Sequence, residues 1–129
     1  MSKYPADLKY TKDHEWARAE ANGRVRVGIT SYAVEQLGDV TLVDLPKVGD
    51  AIEEHGHFGD IESVKTVSEL FAPVAGKVVE INGALDGKPE LVNEGPYDKG
   101  WMIVLETSSS LDALMDAAAY EAYLGTLDH

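Results

Sequence analysis

No cysteine occurs among the 129 residues, which excludes disulfide frameworks, thiolate metal sites and cysteine nucleophiles. The fold therefore stands on packing alone. Basic charge is also scarce: 11 Lys and Arg face 23 Asp and Glu, for a net charge of −12. Phosphate backbones are gripped by clustered basic side chains, so nucleic acid is ruled out as an expected partner, whereas a negative surface suits docking on basic faces of other proteins. Long hydrophobic runs are missing too, and every apolar run falls far short of the roughly 20 residues that cross a bilayer. The segment Met1 to Asp7 carries neither an apolar leader core nor an Arg-rich amphipathic pattern. No membrane association is expected, and a cytoplasmic location is.

What is present suits one domain spanning 1–129, with 44% apolar residues to fill a core. Strand signals dominate the first hundred positions. Glu15 to Ala21 and Arg24 to Ile29 flank Asn22-Gly23, a pair that accepts the positive φ angles of a tight hairpin turn. Val25, Val27 and Ile29 point to the core, and Arg24, Arg26 and Gly28 point the other way to solvent. Thr30 caps a short helix over Ser31 to Leu37, and Gly38 ends it. Further strands are expected at Val40 to Leu45, Ala51 to Glu54, Lys77 to Ile81 and Met102 to Glu106, punctuated by Pro and Gly. Short strands with frequent turns read as a barrel or sandwich. Leu111, Leu114, Met115, Ala118, Ala119 and Ala122 follow one helical face, which predicts a helical segment over about 109–124 with Ser109 as cap and Gly125 as stop.

One lysine stands apart. Lys65 has no lysine neighbour between 48 and 76, with Glu62 three residues before it. Around it Phe58, Ile61, Val64, Val67 and Leu70 recur every three residues, a period that matches neither strand nor helix. The β-branched Val64, Thr66 and Val67, with Gly59 and Pro73 bracketing the stretch, favour a hairpin over about 58–72 with Lys65 at its turn. Alone, such a residue reads as a solvated turn lysine.

Its neighbours add more. Glu62-Ser63-Val64-Lys65, followed by Ala72-Pro73-Val74-Ala75-Gly76-Lys77-Val78, resembles the lipoyl attachment hairpin of the glycine cleavage system H protein family. His14-Glu15-Trp16, Val27-Gly28-Ile29-Thr30, Leu37-Gly38-Asp39, Leu45-Pro46 and Val48-Gly49-Asp50 resemble that family's first half in order. Glu80-Ile81-Asn82, Pro89-Glu90-Leu91-Val92-Asn93, Pro96-Tyr97, Gly100-Trp101 and Leu114-Met115-Asp116 resemble its second half.

The resemblance implies a mainly β fold, a lipoyl/biotinyl-type barrel-sandwich hybrid with short helices including a C-terminal one. It also implies a carrier and not a catalyst. Lipoate would be amide-linked to Lys65, and the arm would take the aminomethyl group of glycine from glycine decarboxylase (P protein) to aminomethyltransferase (T protein). Dihydrolipoamide dehydrogenase (L protein) would then reoxidise the dithiol, and a lipoylating enzyme would attach the cofactor beforehand. A monomer suits a shuttle that fits several active sites. Glu15 and Glu69 lie in segments similar to the family's functional regions and are candidates for shielding the loaded arm, while Glu62 is a candidate recognition mark for lipoylation.

Two other readings use the same architecture. A biotinyl carrier is disfavoured because Val64 and Thr66 occupy the places where methionines typically flank its lysine. A lipoyl donor serving other lipoylated complexes is the other alternative, on which the sequence is silent. His14, His55 and His57 lie near Glu53, Glu54 and Asp60, but no third ligand has a fixed spacing, so they read as surface histidines and no metal is expected. Trp16, Tyr97 and Trp101 read as core.

Overall fold

The computed structural model describes residues 4–108 and 111–127. Among these residues, nine strands and four short α-helices follow in the order β1 (Lys9–Tyr10), β2 (Glu15–Glu20), β3 (Arg24–Ile29), α1 (Ser31–Leu37), β4 (Val40–Asp44), β5 (Ala51–Ile52), β6 (His57–Ser63), β7 (Val67–Phe71), β8 (Gly76–Ile81), α2 (Ala84–Gly87), α3 (Leu91–Glu94), β9 (Ile103–Glu106) and α4 (Ala117–Thr126), with one 3-10 turn at Ala21–Gly23 between β2 and β3. They form a six-stranded sheet, β1-β2-β3-β9-β8-β5, and a three-stranded sheet, β4-β6-β7. The expected mainly β, sandwich-type architecture with short helices is what the chain adopts.

Local chemistry explains the elements. Asn22 and Gly23 both take positive φ, at 64° and 73°, and turn β2 into β3. Thr30 accepts a hydrogen bond from Ala33 N at the start of α1, and Gly38 closes that helix at φ 78°, ψ −149°, a region open essentially to glycine alone. Between the sheets lies the main core: Val25, Val27, Val78, Ile103 and Leu105 from one, and Val40, Val43, Phe58, Ile61 and Leu70 from the other.

The structure corrects the sequence in three places. First, the side of β3 opposite the core is not left to solvent along its length. Trp16 pairs with Gly28 across β2 and β3 and is fully buried, in a second cluster with Leu8, Tyr10 and Tyr120. Second, the C-terminal helix begins at Ala117 and not before Leu111, because Met115 is engaged in a bridge with Tyr10 and Asp116 caps the helix by accepting from Ala119 N. Its inward face is Ala117, Tyr120, Tyr123 and Leu124, whereas Ala118, Ala119 and Ala122 are exposed. Gly125 lies within the helix, and the expected cap Ser109 lies outside the described residues. Third, the strand expected over 51–54 stops at Ile52, since a turn places Gly56 N on the Glu53 carbonyl and His55 at φ 61°.

The pairing of Trp16 over Gly28 carries a test. A Cβ at Gly28 would stand 2.6 Å from Trp16 Cζ2, and the indole is tethered by its Nε1–H donating to the Pro96 carbonyl at 2.9 Å. Gly28→Ala must push a buried ring out of place, at about 1–3 kcal/mol for overpacking. Thermal unfolding followed by circular dichroism should show a drop of roughly 3–10 °C. An unchanged midpoint would show that the second cluster is looser than its geometry states.

Candidate functional site

Lys65 projects from the turn between β6 and β7, exposed to solvent. The turn is knitted by one hydroxyl: Ser63 Oγ accepts from the backbone N–H of Lys65 and of Thr66, each at 3.2 Å, while Ser63 N donates to the Thr66 carbonyl at 2.8 Å. Val64 N then donates to the Asp39 carbonyl at 3.1 Å, tying the tip to the segment after α1. The lysine is not splayed at random. Its stem lies over Gly38, where a Cβ would meet Lys65 Cε at 3.4 Å.

Beside the tip opens a cleft of about 310 Å³ between α1 and β7. Ile29, Ala33, Leu37, Ile61 and Leu70 give it apolar walls, and Asp13, His14, Glu15, Tyr32, Gln36 and Ser68 supply its polar groups. Glu15 is 1% exposed. It accepts from Thr11 Oγ1 at 3.0 Å and from the Phe71 N–H at 3.3 Å. Burial pushes its carboxyl up to about 8 against these two hydrogen bonds, with Asp13 adding a smaller push in the same direction. A buried carboxyl group whose proton is held only up to about 8 can answer the arrival of a cation by giving up that proton. Next to it burial lowers the proton affinity of His14, whose Nδ1 hydrogen-bonds Tyr120 Oη at 2.8 Å.

The four residues singled out in the sequence fall in different places. Lys65 marks the tip and Glu15 belongs to the adjoining cleft. Glu62 sits on the outward side of β6, between Leu42 of β4 and Val67 of β7. With Leu42 45%, Val64 68% and Val67 62% exposed, the surface beneath the lysine is apolar around one carboxylate. Glu69 borders the cleft, but it pairs across the strands with Asp60, and its carboxylate shares a group with His57 and Asp60 whose ligand atoms lie within 4.8 Å of one another. The carboxylate of Glu69 is thus gathered with His57 and Asp60, while that of Glu15 is held by Thr11 and Phe71.

That second group arises from a β-bulge between His57 and Gly59, which turns His57 to the face of Asp60. His57 Nε2 lies 2.9 Å from Asp60 Oδ1, and this contact raises the proton affinity of the exposed imidazole. The other histidines stand elsewhere, His14 on Tyr120 and His55 beside Glu54. Sequence reasoning missed Ser63 as the organiser of the turn, although a serine with a partner three residues on is a signal for such a bond. It also missed Asn93, whose amide reaches the tip's support from 53 and 55 residues away.

The model of the glycine cleavage H-protein family matches residues 8–127. The chain belongs to that family. It is 55% identical over 122 residues to the glycine cleavage system H protein of Brevibacillus brevis, covering 93% of this chain and 96% of that one. The H protein of Symbiobacterium thermophilum is 54% identical over 125 residues, with 95% and 97% covered. The crystal structure of a glycine cleavage system H protein from Mycobacterium marinum superposes with a TM-score of 0.86 at 40% identity, covering 94% of this chain and 98% of that chain. In this H-protein scaffold the β6–β7 hairpin carries the lysine that the motif singles out, at the mouth of the cleft.

Proposed function

We propose that this chain is the lipoyl carrier of glycine cleavage, with lipoate amide-linked to Lys65. The observation that carries the reading is the juxtaposition of an exposed hairpin lysine, its stem laid across Gly38, with a cleft that holds a buried carboxyl group. When attached, the cofactor supplies a dithiolane that opens, carries the aminomethyl group of glycine and is closed again by oxidation. The residues present suit such a group: the cleft is apolar along its walls and offers the buried carboxyl group of Glu15.

The protein's own part is presentation and protection. Lysine suits attachment because acylation of its flexible ε-amine removes the charge and leaves a mobile tether. The chain brings no cysteine that would trap a dithiol as a mixed disulfide. Glu15 gives a cationic nitrogen an anionic partner away from water, and Glu69 adds negative charge at the rim. Glycine decarboxylase loads the arm, aminomethyltransferase unloads it and dihydrolipoamide dehydrogenase reoxidises it. The carrier visits them as a cytoplasmic monomer built as one unit. Among the described residues no helix is long and apolar enough to cross a membrane.

Glu62 serves as the mark read by the lipoylating enzyme, framed by the exposed Leu42, Val64 and Val67. Reconstitution with the three enzymes tests the whole reading. The lipoylated chain should support glycine-dependent release of carbon dioxide and the unmodified chain should not; equal rates from both would overturn it. In the preceding attachment step Glu62→Ala should lower the rate about tenfold, the loss of one charged recognition contact. A native rate would remove Glu62 from recognition.

A further inference from the structure

The lysine tip rests on a segment that one side chain holds from outside the hairpin. Gly38 and Asp39 connect α1 to β4, and this connection touches the tip twice: the Lys65 stem lies over Gly38, and Val64 N donates to the Asp39 carbonyl at 3.1 Å. Neither residue of the connection has a side chain that fixes it by packing, since Gly38 has none and Asp39 is exposed. Asn93 supplies the hold. Its Nδ2 donates to the Gly38 carbonyl at 2.7 Å, and its Oδ1 accepts from Val40 N at 2.9 Å, so both ends of one amide grip the backbone on either side of Asp39. Asn93 belongs to α3, which packs against α1 and anchors itself through the fully buried Val92.

We infer that Asn93 is a positioning residue for the Lys65 tip, acting through the Gly38–Val40 connection. A two-stranded hairpin tip is a loosely held element, and its direction is set by whatever it leans on. Here the support is a glycine in a conformation that few residues share, flanked by a strand irregularity between Val40 and Leu42. Such a segment has few restraints of its own. The Asn93 amide converts it into a fixed seat, and because α1 also forms a wall of the cleft, the same contact fixes the lysine relative to the cleft mouth. A carboxylate of the same size could still accept from Val40 N, but it would set an acceptor against the Gly38 carbonyl. The inference rests on the carrier reading for its purpose, and on geometry for its existence.

The test uses the full chain in its unmodified form. Its lysines are reductively methylated with a ¹³C label for NMR, and lipoylation is measured separately on unlabelled protein. Asn93→Ala and Asn93→Asp are compared with wild type and with Asn82→Ala. Asn82 is the control because its amide also donates two bonds to backbone carbonyls, those of Lys99 and Trp101, in a part of the fold that does not touch the tip. Expected for both Asn93 variants are a shifted, narrowed Lys65 signal and a fall of about tenfold in the lipoylation kcat, with the KM for the carrier changed less than about twofold. Asn82→Ala should lower the unfolding temperature and leave both tip readouts alone. A Lys65 signal and lipoylation rate unmoved by the Asn93 changes, with stability lowered as in Asn82→Ala, would reduce Asn93 to a structural role and overturn the inference. Should Asn93→Ala fail to fold, the isosteric Asn93→Asp decides alone. If wild type takes no lipoyl group, the carrier reading fails, while the NMR signal still judges the seat.

Discussion

Lys65→Arg takes up no lipoyl group and otherwise behaves as the parent protein. The loss is complete because acylation needs an amine that can shed its proton, and a guanidinium does not at any pH the fold tolerates. The turn itself is not built on the ammonium. The turn is organised by Ser63 Oγ and by the backbone N–H groups of Val64, Lys65 and Thr66, all of which arginine retains. A change at so exposed a site should cost less than about 0.5 kcal/mol. Lys47 is the internal comparison: it too is exposed and in a turn, its N–H accepted by Asp50 Oδ2 at 3.1 Å, yet no hairpin presents it. Intact and peptide mass spectrometry after incubation with a lipoylating enzyme and lipoate should show one lipoyl increment on wild type, located at Lys65, and none on the variant. An increment that persists in Lys65→Arg would place attachment elsewhere and dissolve the site as described. Biotin in place of lipoate on Lys65 would keep the hairpin and change the carrier's class.

Much of this arrangement is legible in the order of the residues. Asn22-Gly23 and the Thr30 to Gly38 helix are local devices: each works through φ angles and hydrogen bonds a few residues apart, so the sequence spells them out. The three-residue period around Lys65 cannot be decoded in that way, because two separate causes produce it. The bulge between His57 and Gly59 puts Phe58 and Ile61 on the same core face, and the turn resets the pattern so that Val64 and Val67 fall outside. Pairing decides the rest. Whether Glu69 faces Glu15 or Asp60 depends on strand register, a relation between residues nine apart that composition cannot express. The burial of Glu15 depends on Thr11 and Phe71, the second 56 positions away. The same limit hid Asn93. The late start of α4 has another cause: the helical pattern from Leu111 onward is present, but the bridge between Tyr10 and Met115 uses the backbone that the helix would need.

Glu15→Gln should abolish the pH dependence of part of the stability. In the folded chain burial lifts the Glu15 carboxyl to about 8 from an ordinary 4.5, so the folded state keeps a proton that the unfolded state has released. Stability from this group is therefore full below pH 4.5, declines as pH rises toward 8 and is gone above it, at about 1.4 kcal/mol per pH unit across that window. Glutamine has the same shape and no proton to lose. Its single oxygen cannot accept from both Thr11 and the Phe71 N–H, which costs about 1 kcal/mol at low pH. Urea unfolding should thus find the variant slightly weaker than wild type near pH 5 and stronger by a few kcal/mol near pH 9, with the curves crossing between. Parallel curves over that range would show that Glu15 is already ionised when the cleft is free. The same variant separates stability from function. A carboxyl group that holds its proton only up to about 8 can ionise to meet a cation at modest cost, whereas glutamine offers only a dipole, so the aminomethyl-loaded carrier should release ammonia about tenfold faster in Glu15→Gln, a difference of ~1.4 kcal/mol. Greater stability at high pH joined to a shorter-lived load is the pairing that a purely structural glutamate would not produce.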